Sequence, residues 1–176
     1  MYYKLMGDSA QYASFVPENY TVELGEMFDG RSHAEGWNVM HFVLIDPEDE
    51  RPLPEIITGY IPLCSRRVYD AIRDICDGVV EFLPCTLGED KLEYYIFNIL
   101  GSRDVVDYEQ SEFRRFRNGE IMYFQKIVFK EAITEPLFRI PDLPYTYFFC
   151  TAHFKQVLES IGTKGVLFSD ELFQNQ

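Results

Sequence analysis

The 176-residue chain has no apolar run approaching the roughly 20 residues that span a bilayer. Its start, MYYKLMGDSAQYAS, lacks a basic segment followed by a long apolar one, so neither a signal peptide nor an anchor is expected. There is no CxxC spacing, and the single CxxH, Cys150 to His153, has no second ligand pair to complete it, which argues against a zinc site. There is no GxSxG, no HExxH and no glycine loop in the strand–loop–helix setting that cradles phosphate; GEMFDGRSHAEG has the glycines but not that setting. No metal or organic cofactor is therefore expected. Histidine is scarce: His33 falls in a loop, His41 enters an apolar strand and His153 opens a helix. None sits in a recognisable catalytic context of the kind a nucleophile–base pair requires.

Cations are also in short supply, with 16 Lys and Arg against 29 Asp and Glu and a formal net charge of −13. A surface of that sign repels phosphate backbones, which excludes nucleic acid as the expected partner. It suits a basic protein, whose field steers encounter, and it equally serves plain solubility. Cys64, Cys76, Cys85 and Cys150 all lie in apolar segments. Two disulfides are arithmetically open, but the absence of an export signal favours reduced core thiols in a cytoplasmic protein.

With 47% hydrophobic residues, the chain suits one globular domain in one or two lobes. The sharpest break is DPEDERPLPE (46–55), whose three prolines oppose helix and central strand alike. It separates a strand-rich N-terminal region (1–55) from a longer α+β region (56–176), the two forming one structural unit. Strand-like pieces are expected at Tyr2–Met6, Tyr20–Leu24 and Val39–Ile45. In SRRVYDAIRDICDG, Val68, Ile72 and Ile75 recur at helical spacing, with Ser65 to cap and Gly78 to stop. In TAHFKQVLESIG, Phe154, Val157, Leu158 and Ile161 form the same stripe, with Thr151 as cap. Between the helices, VVEFLPC, LEYYIFNIL and IMYFQKIVFK read as strands, and Tyr147–Cys150 and Gly165–Phe168 as shorter ones. The fold class is α+β, a mostly antiparallel sheet with a few helices.

Two polar residues interrupt apolar runs: Asn98 in YYIFNIL and Arg139 in LFRIPDLPYTYFFC. Arg139 either alternates outward from a strand or is buried and must be met by a partner.

The order IPLCSRRVYDAI, FLPCTL, YYIFNILGSRDVVDYEQS, then LFRIPDLPYTYFFCTAHFKQVLESIGTKGVLF resembles a bacterial family of immunity proteins encoded beside polymorphic toxins. The resemblance spans about residues 60–173 and rests on Tyr95, Asn98, Asp107, Ser111, Phe138, Arg139, Gly165 and Phe168. It implies a cytoplasmic inhibitor, not an enzyme, that binds a cognate toxin domain and occludes its active or substrate site, with neither nucleic acid nor membrane as partner. The family-like pattern pairs Asp107 with Arg139, and Asn98, Asp107, Ser111 and Arg139 are read as one polar cluster that fixes the fold. The competing reading makes that cluster the pocket of an enzyme of unknown reaction. Against a basic toxin, the candidate contacts are Asp46, Glu48, Asp49 and Glu50 of the proline-flanked loop, and Asp104, Glu109 and Glu112 of SRDVVDYEQSEF. Trp37, the only tryptophan, is a candidate anchor or a core residue.

Overall fold

The longest uninterrupted ladder joins Val80–Leu87 to Leu92–Ile99 through a tight turn, and the rest of the chain is arranged around this hairpin. The structure is a computed structural model and describes residues 1–21, 24, 28–59, 61–143, 145 and 147–173. Its strands are β1 (Tyr2–Gly7), β2 (Phe15–Pro17), β3 (Met40–Leu44), β4 (Ile56–Ile57), β5 (Leu63–Ser65), β6 (Val80–Leu87), β7 (Leu92–Ile99), β8 (Glu112–Arg115), β9 (Ile121–Lys126), β10 (Leu137–Phe138), β11 (Phe148–Thr151) and β12 (Val166–Ser169). Helix α1 (Arg66–Ile72) follows β5, helix α2 (Ala152–Ser160) follows β11, and a 3-10 turn covers Glu171–Phe173. The strands form a six-stranded sheet in the order β2-β3-β6-β7-β5-β4, a four-stranded sheet in the order β10-β11-β1-β12 and the hairpin β8-β9. Pairing is antiparallel except between β3 and β6. The architecture is α+β. The strand expected over Tyr20–Leu24 is not found: Tyr20 and Thr21 are irregular and Leu24 is helical, while Val22 and Glu23 lie outside the described residues.

The helix stripes are buried at their centres; α1 ends at Ile72, short of the Gly78 stop expected from sequence, so Ile75 falls in the turns beyond it, and Ile75, Val157 and Ile161 are half-buried. Val68 and Ile72 of α1 and Phe154 and Leu158 of α2 meet Leu5, Phe97, Ile99, Leu137 and Phe148 in a core between the two larger sheets. Burying a side chain of this size contributes about 1.5–3 kcal/mol. Ser65 caps α1 through its Oγ, which accepts from the Val68 amide at 3.3 Å. Thr151 occupies the N-cap position of α2, but its hydroxyl makes no capping bond. The four cysteines are free and buried.

β7 is buried on both faces. Phe97 and Ile99 enter the core just described, while Tyr94 and Ile96 enter a second one with Phe15, Phe28, Phe42 and Leu63. Alternation then puts Asn98 on the same face as Tyr94 and Ile96. The four-stranded sheet is two-sided in the same way. Leu137, Phe148 and Cys150 face the first core, and Phe138 and Phe149 a third, which lies under β9. Residues 1–55 supply β1 to one sheet and β2 and β3 to the other.

Candidate functional site

The acidic loop after β3 is built by its own side chains. The Asp46 carboxylate accepts from the Glu48 amide at 3.0 Å, closing the first turn. Asp49 takes Arg51 in a forked pair, Nε at 2.8 Å and Nη2 at 2.6 Å, and Arg51 Nη1 donates on to the Ser9 carbonyl at 2.5 Å. The Arg51 contact holds the Asp49 carboxyl down at about 2. Asp49 is thus neutralised and half-buried, whereas Asp46, Glu48 and Glu50 are exposed. Of four candidate contact acids, three present free charge and the fourth fastens the loop.

The second acidic stretch belongs to another part of the molecule, over the third core. Asp104 lies 3.5 Å from Lys130, and Glu109 and Glu112 are exposed. Asp107 is turned inward on its own turn. Its carboxylate accepts from the Glu109 amide at 3.0 Å, the Gln110 amide at 3.2 Å and Gln110 Nε2 at 2.6 Å. These donors, the Gln110 side chain first, keep its pKa below the usual carboxylate value. Ser111 donates its amide to the Asp107 carbonyl and accepts the Val128 amide at 2.9 Å.

Arg139 is not part of that turn. It is 2% exposed, among the largest fully buried side chains. Its guanidinium donates through Nε to the Ile99 carbonyl at 3.0 Å, through Nη2 to the same carbonyl and to Asn98 Oδ1 at 3.2 Å, and through Nη1 to the Phe28 carbonyl at 2.5 Å. Its own carbonyl accepts the Arg103 amide at 2.8 Å. Burial lowers the Arg139 pKa to about 10, with Asp29 and Tyr145 pulling it back, so it is a cation at neutral pH. The four-member cluster expected from sequence therefore separates into two. Asn98 and Arg139 bolt the end of β7 to the segment after β10, and Asp107 and Ser111 shape the turn before β8.

Sequence reasoning missed the half-buried third member of this polar group, Glu81. Glu81 stands opposite Asn98 in the β6–β7 ladder. Its carboxylate accepts from Asn98 Nδ2 at 3.2 Å, Ser32 Oγ at 2.5 Å, the His33 amide at 2.8 Å and the Ala34 amide at 3.1 Å. Asn98 also donates to the Arg31 carbonyl at 2.7 Å. The loop 28–37 is thereby pinned to the hairpin. Gly30 completes the seam: a Cβ there would lie 2.7 Å from the Gly101 nitrogen, at φ +104°. Trp37 ends this loop. Its indole donates to the Pro84 carbonyl at 2.9 Å and its ring packs edge-on to Phe28, so the structure seats it on the second core.

The chemical groups are otherwise quiet. His41 Nδ1 lies 2.9 Å from Thr86 Oγ1, the His33 ring packs against Phe28, and His153 is exposed. Burial raises the Cys64 thiol and pushes those of Cys76, Cys85 and Cys150 up to about 12, far from the thiolate a nucleophile needs. Among the described residues, no group of three His, Cys, Asp or Glu is placed to hold a metal ion, and no helix is long and apolar enough to cross a membrane.

Against known families, the sequence profile of the Immunity protein family (Imm11) matches residues 15–171. The match includes most of the region before residue 55. No curated protein matches the sequence.

Proposed function

Because the chain belongs to the immunity protein family Imm11, we propose that it binds a cognate toxin domain in the cytoplasm of the producing cell and neutralises it by covering that domain's active or substrate site. The family match over most of the chain carries this reading. The arrangement of polar groups supports it: the side chains best suited to chemistry hold the fold together, and exposed carboxylates form the charged surface. The charge of −13 and the exposed Asp46, Glu48 and Glu50 support a partner that is basic where it meets this protein. Asp104, Glu109 and Glu112 are the second candidate contact region. Trp37, held by Pro84 and Phe28, contributes by fixing its loop and not as a protruding anchor.

Covering an active site in this way takes an interface of about 1,600 Å² in total, the usual size for tight inhibitors. Co-expression tests the proposal. Cells carrying the toxin domain encoded beside this gene should survive when this chain is produced and die when it is not. Equal death in both cases refutes the immunity role.

A further inference from the structure

The two edge strands of the six-stranded sheet, β2 and β4, line the same cleft. The cleft is a cavity of about 410 Å³, lined also by Gly7 and Asp8 from the end of β1. Its walls are mostly apolar, with Phe15, Phe42, Ile56 and Ile61 among them, and Ser9, Ser14 and Thr58 add polar groups. No Lys, Arg or His is among its described lining residues.

One carboxylate stands in this apolar wall. Asp8, which follows β1, is 8% exposed. One of its oxygens accepts the Gln11 amide at 3.2 Å, and the other has no hydrogen bond among the described residues. No fully buried side-chain oxygen or nitrogen there lacks a partner, so the second oxygen touches solvent. Asp8 forms no ion pair among the described residues. At the mouth is Ile45, 63% exposed, and the acidic loop begins at the next residue. Arg51 ties that loop to the Ser9 carbonyl on the cleft wall, so Asp46, Glu48 and Glu50 stay beside the opening.

We propose that this cleft is the docking groove for a segment of the toxin in which a Lys or Arg is flanked by apolar side chains. The inference rests on the toxin-binding reading above. The apolar walls take the flanking side chains, the accessible oxygen of Asp8 takes the cation, and Ile45 closes over the backbone. A carboxylate in apolar surroundings favours a cation strongly, and a guanidinium meets it with two parallel hydrogen bonds. The exposed acids at the rim draw the segment in, and the desolvated pair inside holds it, which divides the work between association and dissociation.

The test is binding kinetics of the purified cognate toxin domain with wild type, Asp8→Asn and Ile45→Ser, alongside thermal melts and the solution mass of each. Asp8→Asn keeps an acceptor for Gln11 and removes the charge. Ile45 is exposed, so its replacement leaves the fold intact and decides the question alone if Asp8→Asn fails to fold. Both variants should dissociate roughly tenfold faster or more, with association close to wild type. Wild-type dissociation in both, or in Ile45→Ser alone if the other is unfolded, overturns the proposal and leaves the immunity role standing. A wild-type dimer that Ile45→Ser converts to monomer also overturns it, since the groove then holds a second copy. A toxin domain that binds none of the three, wild type included, refutes the immunity role and this groove with it.

Discussion

Asn98 accepts a hydrogen bond from Arg139 at 3.2 Å through its amide oxygen, while its amide nitrogen donates to the Arg31 carbonyl and to Glu81. One amide thus joins the six-stranded sheet, the segment following β10 and the loop leading to Trp37. Arg139→Ala should destabilise the protein by about 3–5 kcal/mol, because it leaves buried carbonyls unpaired and opens a cavity. A cycle of Asn98→Ala and Arg139→Ala should show a coupling of about 0.5–3 kcal/mol. Asp107→Ala and Arg139→Ala should instead add to within about 0.5 kcal/mol. Urea unfolding of the single and double variants measures all three. Coupling in the Asp107 pair but not in the Asn98 pair would invert this assignment.

Glu81 makes the loop's attachment sensitive to acid. Burial works to raise its pKa, but the donors Ser32, His33, Asn98 and Ala34 outweigh it and hold the value below that of an ordinary glutamate. A carboxyl depressed in the folded state adds stability above its unfolded pKa and loses it as pH falls through the folded one. Wild type should therefore lose stability below about pH 4.5. Glu81→Gln should be less stable at neutral pH and show a shallower loss in that acid range. Parallel stability–pH curves for the two proteins would rule out Glu81 as a contributor.

The helix stripes, the Ser65 cap and the long β6–β7 hairpin are legible in the amino-acid order, because periodicity and turn residues are local signals. Arg139 and Asn98 stand out there because each interrupts an apolar run. Their partners do not, since Arg139 is met largely by backbone carbonyls, and carbonyls carry no residue identity. Glu81 leaves a trace, a single carboxylate inside VVEFLPC, but its role depends on the register that sets it opposite Asn98. Asp107 is misassigned from sequence because a charge in a family-like pattern invites pairing with the other charge, whereas an Asp at a turn more simply binds the amides ahead of it. The parallel β3–β6 pair and the cleft between β2 and β4 arise from long-range closure, about which local sequence says nothing.

The cysteines offer a check on the core. Because burial raises the thiols and shields them, none of the four should react with iodoacetamide in the native protein at pH 8, and all four should react in denaturant. Mass spectrometry counts the adducts. Rapid native labelling of any one would show that its site opens.

The acidic loop should act on association. Neutralising Asp46, Glu48 and Glu50 together should slow binding to the toxin domain, most at low salt, with little change in melting temperature. Adding Asp49→Asn should cost stability as well, because it releases Arg51 from the loop. Surface plasmon resonance over a salt series reads the first effect. An association rate equal to wild type at every salt concentration would move the steering role to Asp104, Glu109 and Glu112.

The most direct measurement is a titration of the purified toxin domain's activity with this protein. Neutralisation by occlusion predicts that inhibition is complete at one molecule per toxin, is immediate, and is reversed when the complex dissociates. Undiminished toxin activity in the presence of excess protein would contradict the account. So would inhibition by a small fraction of an equivalent that deepens with time, because that is the behaviour of an enzyme acting on the toxin or its substrate.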